Sequence, residues 1–115
     1  LGAYGRETKD VLIKAEAVTP AGELVFDELA CDVLHGQQRA GLTLSEYRLL
    51  DTLHRSHEEV LSKAFLYQHV LQRGYARHDR SLDMHVSNLR KKIGPHPDGR
   101  PRIVALRSRG YYYSL

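Results

Sequence analysis

The chain has 115 residues, of which 42% are hydrophobic and 27% are charged, values typical of one globular domain. It has no apolar run near the ~18 residues of a membrane-spanning helix and no basic-then-apolar leader, and its one cysteine, Cys31, cannot form an internal disulfide, so we expect a cytoplasmic protein with no membrane partner. The net charge of +3 divides into −5 over residues 1–60 and +8 over residues 61–115, which predicts a polyanionic partner such as nucleic acid, although a basic surface kept for solubility would explain the charge alone.

The first third of the chain has the pattern of a small antiparallel sheet. Short runs of alternating apolar side chains, separated by turn-forming residues, predict strands over residues 11–18, 23–26, 31–35 and 38–42. The leading residues contain two glycines and mixed charge without periodicity. We therefore predict a linker or tag remnant over residues 1–16 and a single folded domain over residues 17–115.

Two helices are predicted in the middle of the chain. Thr43 and Glu46 have the spacing of a capping box, in which each side chain accepts the backbone N–H of the other residue, and they predict a helix over residues 44–56. Ser62 can cap a second helix over residues 63–72. Apolar positions at helical spacing are the predicted core residues: Tyr47, Leu49, Leu50 and Leu53 in the first helix, and Phe65, Leu66, His69 and Val70 in the second.

The segment DRSLDMHVSNLRKKIG predicts a third helix, over residues 79–93, with two distinct faces. Asp79 is its predicted N-cap, and Gly94 with Pro95 is its predicted stop. One face is a narrow apolar stripe that we predict to be buried: Leu82, Val86, Leu89 and Ile93. The opposite face is basic and rich in hydrogen-bonding groups: Arg80, Met84, Ser87, Asn88 and Lys91, with Asp83 at its edge.

Two β-rich runs, RIVALR and GYYYSL, predict a hairpin over residues 103–114. The tip is basic because Arg107-Ser108-Arg109-Gly110 joins the runs, and Gly110 can adopt the positive φ that tightens such a turn. An order of strands, three helices and a hairpin indicates an α+β fold, and its helices and hairpin match a winged helix-turn-helix.

The exposed groups of the third helix and of the hairpin tip are suited to double-stranded DNA. A helix fits the major groove, where Asn88 can pair with adenine, Asp83 can accept from cytosine and Met84 can contact a thymine methyl. The residues better placed to neutralise phosphates are Arg80, Arg90 and Lys91. The residues predicted to enter the minor groove, whose negative potential favours guanidinium groups, are Arg107 and Arg109.

The seven histidines suggest a metal site or an enzyme, but the spacings between them do not favour either interpretation. The run from His57 to Leu61 lacks the second histidine of a zinc-protease helix, and Cys31 has no CxxC partner. We predict no catalytic residue, metal or cofactor, and hence no enzyme. Three alternatives to DNA binding remain: a winged-helix protein-interaction module, an enzyme with an unrecognised catalytic group, and an RNA-binding protein, although no aromatic stacking platform is evident.

Three ordered segments carry a family resemblance: LVFDELACDVLHGQQRAGLTLSEYRLL, DRSLDMHVSNLRKKIG and RIVALRSRGYYYSL. Together they resemble the C-terminal effector domain of OmpR/PhoB-type response regulators, in which LTxxE opens the first helix, R-[ST]-x-D-x-H-[IV]-x-x-LR-[KR]-[KR] forms the recognition helix and R-x-x-GY closes the wing. The resemblance covers roughly residues 17–115, and the recognition-helix segment is most similar to CpxR-type regulators.

The resemblance implies a fold, a function and residue roles. It implies a four-stranded antiparallel N-terminal sheet, three helices and a C-terminal hairpin wing, and it implies sequence-specific binding of double-stranded DNA in transcriptional control. Implied base-facing residues are Asp83, Met84, Ser87 and Asn88. Implied phosphate-facing residues are Arg80, Ser81, His85, Arg90 and Tyr111. Arg107 takes the minor-groove position of the wing.

The resemblance also implies partners. Such domains follow a phosphorylatable receiver domain, which we expect before Leu1 and which these residues do not contain, and the receiver implies a cognate histidine kinase and a phosphorelay. The family binds tandem half-sites, one protomer on each. The loop between the second and third helices resembles one that contacts RNA polymerase, and its candidate contact residues are Arg73, Tyr75 and Arg77.

Overall fold

The computed structural model describes residues 23–76 and 78–115. The predicted linker and the predicted strand over residues 11–18 lie outside these residues, so the fourth strand of the N-terminal sheet stays a prediction. In chain order the described elements are β1 (Leu24–Asp27), β2 (Asp32–His35), β3 (Gln38–Arg39), α1 (Leu44–Arg55), α2 (Lys63–Leu66), a π-helical continuation of α2 (Tyr67–Leu71), α3 (Ser81–Ile93), β4 (Ile103–Leu106) and β5 (Gly110–Tyr113).

The described N-terminal strands pair antiparallel in chain order, β1 with β2 and β2 with β3. The predicted strand over residues 38–42 is too long, because β3 covers only its first two residues. The buried carboxylate of Asp32 accepts the N–H groups of Gly41 and Leu42, at 3.1 and 3.2 Å. These two amides therefore bind a side chain instead of extending the strand pairing.

Helix α1 begins with the predicted capping box. The Thr43 hydroxyl accepts the N–H of Glu46 at 3.2 Å, and the Glu46 carboxylate accepts the N–H of Thr43 at 3.0 Å. Glu46 is buried, and Lys92 of α3 donates to its carboxylate at 2.6 Å. The start of α1 is thereby joined to the C-terminal turn of α3.

The second helix has a π-helical end that the sequence pattern did not predict. Its first turn follows the prediction, since the Ser62 hydroxyl caps it by accepting the N–H of Phe65 at 3.1 Å. From Tyr67 to Leu71 the backbone then forms a π-helical turn, which is wider than an α-turn.

Leu66 and Val70 are buried as predicted, and Tyr67 is buried with them. The inward positions predicted for Phe65 and His69 are wrong. Phe65 is 45% exposed and His69 is also on the surface, where the two rings stack with their centroids 5.2 Å apart. The buried face of this helix therefore runs through Leu66, Tyr67 and Val70, and the Phe65–His69 pair lies on the adjacent, exposed face.

The three helices and the hairpin share one core. The core residues predicted for α1 and α3 are all buried: Tyr47, Leu49, Leu50, Leu53, Leu82, Val86, Leu89 and Ile93. The predicted hairpin is confirmed, with β4 antiparallel to β5 and Ile103 opposite Tyr113. Tyr111 and Tyr113 face the core while Tyr112 is half-buried, as expected for alternation along a strand.

Buried polar groups fix the base of the hairpin to the loop that follows α3. Nε2 of His96 lies 2.7 Å from the carbonyl oxygen of Ser114. The Arg102 guanidinium lies 3.3 Å from both His96 Nδ1 and the Tyr113 hydroxyl. The hairpin therefore leaves the core from a fixed base.

Candidate nucleic-acid interface

Helix α3 presents the polar face that its sequence pattern predicts. Met84 is 61% exposed, and Ser87, Asn88 and Lys91 are exposed beside it. Its opposite stripe is buried in the core. The helix has 13 residues and is therefore about 20 Å long, sufficient to lie along a DNA groove.

The start of α3 differs from the prediction. Asp79 is not the N-cap: Arg80 holds that position without a side-chain cap, and α3 begins at Ser81. The Asp79 carboxylate instead accepts the N–H of Ser81 at 2.9 Å. The Tyr67 hydroxyl accepts the N–H of Leu82 at 3.2 Å and donates to the Asp79 carbonyl at 2.9 Å. Protein groups thus satisfy the first amides of the helix, which would otherwise lack partners.

The loop before α3 is fixed by Arg73, one of the predicted polymerase-contact residues. Its guanidinium donates to the Ser81 hydroxyl at 2.7 Å and pairs with the Asp79 carboxylate at 2.9 Å. The predicted phosphate contact Ser81 therefore already accepts one hydrogen bond. Tyr75 is 43% exposed and packs on Tyr67, with ring centroids 5.0 Å apart. The third predicted polymerase contact, Arg77, lies outside the described residues.

Asp83 and Tyr111 contact each other, although the prediction assigned Asp83 to a base and Tyr111 to a phosphate. Tyr111 is only 6% exposed, and its predicted contact with a phosphate stays a prediction. Its hydroxyl donates to Asp83 Oδ1. Burial, followed by this hydrogen bond to Asp83, raises the pKa of Tyr111 and keeps it a neutral donor. Lys63 Nζ lies 3.3 Å from the same carboxylate oxygen.

The other predicted phosphate contacts on α3 differ in exposure. Lys91 is exposed, whereas His85 is half-buried. Arg90 is exposed, but its guanidinium donates twice to the carbonyl oxygen of Ile103, at 2.9 and 3.2 Å. Arg90 thus links α3 to β4 as well as adding positive charge to this face.

The hairpin tip projects two exposed arginines, Arg107 and Arg109. Between them Ser108 has a φ of +66°, and the N–H of Arg109 donates to the carbonyl of Leu106 at 3.0 Å, which closes the turn. Gly110 has the predicted positive φ, +144°.

Sequence reasoning missed the side chains that hold this surface in place. Tyr67, Lys63 and Lys92 were not assigned a role, yet Tyr67 and Lys63 each bind a group of α3, and Lys92 of α3 binds Glu46 of α1. Lys63 is the residue that follows the Ser62 cap, and the sequence carried no other signal for it. Their partners lie 15, 20 and 46 positions away, so local spacing could not reveal them.

Among residues 23–76 and 78–115, no three or more His, Cys, Asp or Glu side chains are grouped as a metal site would need. None of the helices in the described part has the length and apolar character needed to span a bilayer.

A three-helix core, an exposed third helix and a hairpin that extends beside it define the winged-helix class of domains. Residues 37–113 match the family model described as "Transcriptional regulatory protein, C terminal". The chain belongs to this family, which comprises the C-terminal regulatory domains of response regulators, and the predicted resemblance is confirmed.

The curated relatives include two transcriptional regulators. The chain is 54% identical over 88 residues to the transcriptional activator protein PfeR of Pseudomonas aeruginosa, a match covering 76% of this chain and 29% of PfeR. It is 42% identical over 74 residues to the transcriptional regulatory protein CpxR of Escherichia coli K12, covering 64% of this chain and 32% of CpxR. The matched part is thus about a third of each relative's length.

Two solved structures share the fold. The DNA-binding domain of E. coli CpxR superposes with a TM-score of 0.76 at 33% identity, covering 84% of this chain and 94% of that one. The Klebsiella pneumoniae RstA DNA-binding domain in complex with the RstA box gives a TM-score of 0.71 at 25% identity, covering 84% and 95%. The predicted α+β winged-helix fold is confirmed.

Proposed function

We propose that this domain binds double-stranded DNA sequence-specifically, with α3 in the major groove and the wing, residues 103–114, in the adjacent minor groove. The observation that carries the proposal is the exposed polar face of α3 beside a hairpin tip with two exposed arginines. Its support from relatives is that the similar RstA domain was solved on its DNA box.

The residue roles in this proposal follow exposure. Base-facing residues are Met84, Ser87 and Asn88, which lie on the open side of α3. Phosphate-facing residues are Arg80, Ser81, His85, Arg90 and Lys91. Minor-groove residues are Arg107 and Arg109. The predicted base contact of Asp83 would compete with the side chains that its carboxylate already binds.

The wider setting is also part of the proposal. Membership of a response-regulator family supports a phosphorylatable receiver domain elsewhere in the protein and a cognate histidine kinase. It also supports a cytoplasmic location. Tandem half-sites would receive one protomer each. The exposed side of Tyr75 is available for RNA polymerase. The family is one of DNA-binding regulators, which typically are not enzymes.

The proposal is tested by exchanging one base-facing and one phosphate-facing residue. Asn88→Ala removes a bidentate partner of adenine and should reduce discrimination between the selected site and a site changed at one base pair by about 1–3 kcal/mol. Lys91→Ala, also on the exposed face of α3, should weaken binding to all sequences alike. Gel shift or fluorescence anisotropy with DNA obtained by in vitro selection measures both effects.

Two results would contradict the proposal. Equal affinity of the unchanged protein for selected and random duplexes would remove sequence specificity. Preference for single-stranded RNA over duplex DNA in direct competition would favour the RNA-binding alternative.

A further inference from the structure

Three elements meet at the side chain of Asp83 on α3. On one side, the buried Tyr111 of β5 donates its hydroxyl to Oδ1 of Asp83. On the other side, Lys63 at the start of α2 lies 3.3 Å from the same oxygen. One carboxylate oxygen therefore connects the recognition helix with the wing and with the helix before it.

The backbone at Tyr111 is fixed at the same point. Its N–H donates to the carbonyl of Leu61 at 3.0 Å, and its carbonyl accepts the N–H of Leu61 at 2.8 Å. The preceding Gly110 lies so close to this segment that a Cβ would stand 1.9 Å from the Leu61 carbonyl oxygen. Tyr111 is thus one of the residues at which the wing strand is attached to the rest of the domain.

These contacts limit what else Asp83 can do. Its side chain is 29% exposed and its Oδ1 is already shared by Tyr111 and Lys63, so turning the carboxylate to present Oδ1 to cytosine would leave the buried Tyr111 hydroxyl without an acceptor. The cost of a buried polar group without a partner is similar in size to the gain from one base contact. A base contact that takes Oδ1 away from Tyr111 would therefore bring little net discrimination.

We infer that Asp83 is a positioning residue: through Tyr111 and Lys63 it sets the angle between the recognition helix and the wing, and it reads no base itself. The wing angle determines whether the tip arginines reach the minor groove while α3 occupies the major groove. Asp83 would thus contribute to affinity for every site that the domain binds. The inference rests on the proposed DNA binding.

A double-mutant cycle with Asp83→Ala and Tyr111→Phe tests this inference in the whole 115-residue chain. Tyr111→Phe removes only the hydroxyl and should weaken binding to the selected duplex about tenfold, the effect of losing roughly one good hydrogen bond. Asp83→Ala should weaken it at least as much, and the double variant should be no weaker than Asp83→Ala alone. The preference at each base pair should be the same in all variants.

Two further variants separate positioning from general damage. Asp83→Asn keeps an oxygen that can accept from Tyr111 and should restore most of the affinity lost in Asp83→Ala. Tyr112→Phe makes the same chemical change at the half-buried neighbour of Tyr111 and should leave affinity unchanged. Circular dichroism of each variant gives its folded fraction.

Three outcomes would overturn the inference. The first is a loss of preference in Asp83→Ala at a single base pair, with an additive Tyr111→Phe effect, which is the signature of base reading. The second is an affinity loss that only follows the loss of folded protein. The third is equal binding of the unchanged protein to selected and scrambled DNA, which would first overturn the proposed function and is distinguishable because it needs no variant.

Discussion

His54 joins the N-terminal sheet, α1 and the wing through its ring. The ring centroid lies 4.6 Å from that of Phe26 on β1 and 5.0 Å from that of Tyr113 on β5. Burial lowers the pKa of His54 below its ordinary 6.5, and the nearby His57 lowers it further, while Asp51 and Glu23 oppose the shift. The folded domain therefore favours the neutral imidazole at this junction.

This environment predicts a pH dependence of stability with a definite sign. Because the pKa of His54 is lower in the folded state than in the unfolded chain, the unfolded chain takes up the proton first as the pH falls. The free energy of unfolding should be fully maintained above pH 6.5 and should decrease as the pH falls through the folded-state pKa. Urea unfolding at about pH 7.5 and about pH 5.5 measures the change.

The matched variants for this prediction differ in burial. His54→Gln should show a smaller decrease between the two pH values. His35→Gln, at an exposed position of β2, should keep the dependence of the unchanged protein. An unchanged pH dependence in His54→Gln would show that another group is responsible.

Among the elements, the wing depends on one glycine. Gly110 has a φ of +144°, and its Cα faces the backbone of Leu61 and Ser62 so closely that any side chain must displace it. The tight turn predicted from the sequence is present, but this close approach to a segment about 50 residues earlier is a property of the folded chain.

Gly110→Ala should lower the free energy of unfolding by about 2–4 kcal/mol, because both the positive φ and the clash with Leu61 oppose a Cβ. The surviving folded fraction should bind DNA more weakly, since the wing strand must move. Gly74→Ala is the control: no atom lies within 4 Å of a Cβ there, and a change within about 0.5 kcal/mol is expected. Chemical denaturation provides the measurement, and equal effects of the two variants would contradict the role given to Gly110.

The helices show which parts of the fold local spacing can predict. The prediction that the apolar stripe of α3 is buried was correct because the side chains of an α-helix repeat at a regular spacing. This pattern alone separates the buried Leu82 and Val86 from the exposed Met84. Phe65 and His69 were wrong because the apolar and aromatic residues of the second helix fit two adjacent faces, and the face that packs on the core is the one with Leu66, Tyr67 and Val70. The bond from Tyr111 to Asp83 joins residues 28 positions apart, and only the folded chain brings them together.

At the scale of the molecule, the uneven charge along the sequence corresponds to a basic surface. The second half of the chain, with its net +8, contributes α3 and the wing, and its exposed cations include Arg80, Lys91 and Arg107. By contrast, Arg39 on β3 pairs with Asp27 at 3.1 Å and belongs to the N-terminal sheet. The composition therefore predicts the sign of the partner's charge, and the fold determines which cations can reach the partner.

The affinity of the domain for DNA should depend steeply on salt concentration. Each phosphate neutralised by a cation releases counterions, so the logarithm of affinity should fall with the logarithm of salt concentration, with a slope of about −0.9 per contact. About four to six phosphate contacts from α3 and the wing would give a slope of about −3.6 to −5.4.

Lys91→Ala should make this slope less steep by about one, whereas Arg39→Ala removes the same charge from the N-terminal sheet and should leave the slope unchanged. Fluorescence anisotropy between about 50 and 200 mM salt covers the range in which the effect is large. A slope near zero for the unchanged protein would favour the protein-interaction alternative, because a winged helix without phosphate contacts has no counterions to release. A loss of slope in Arg39→Ala equal to that in Lys91→Ala would mean that the net charge of the molecule, and not the exposed face of α3, attracts the DNA.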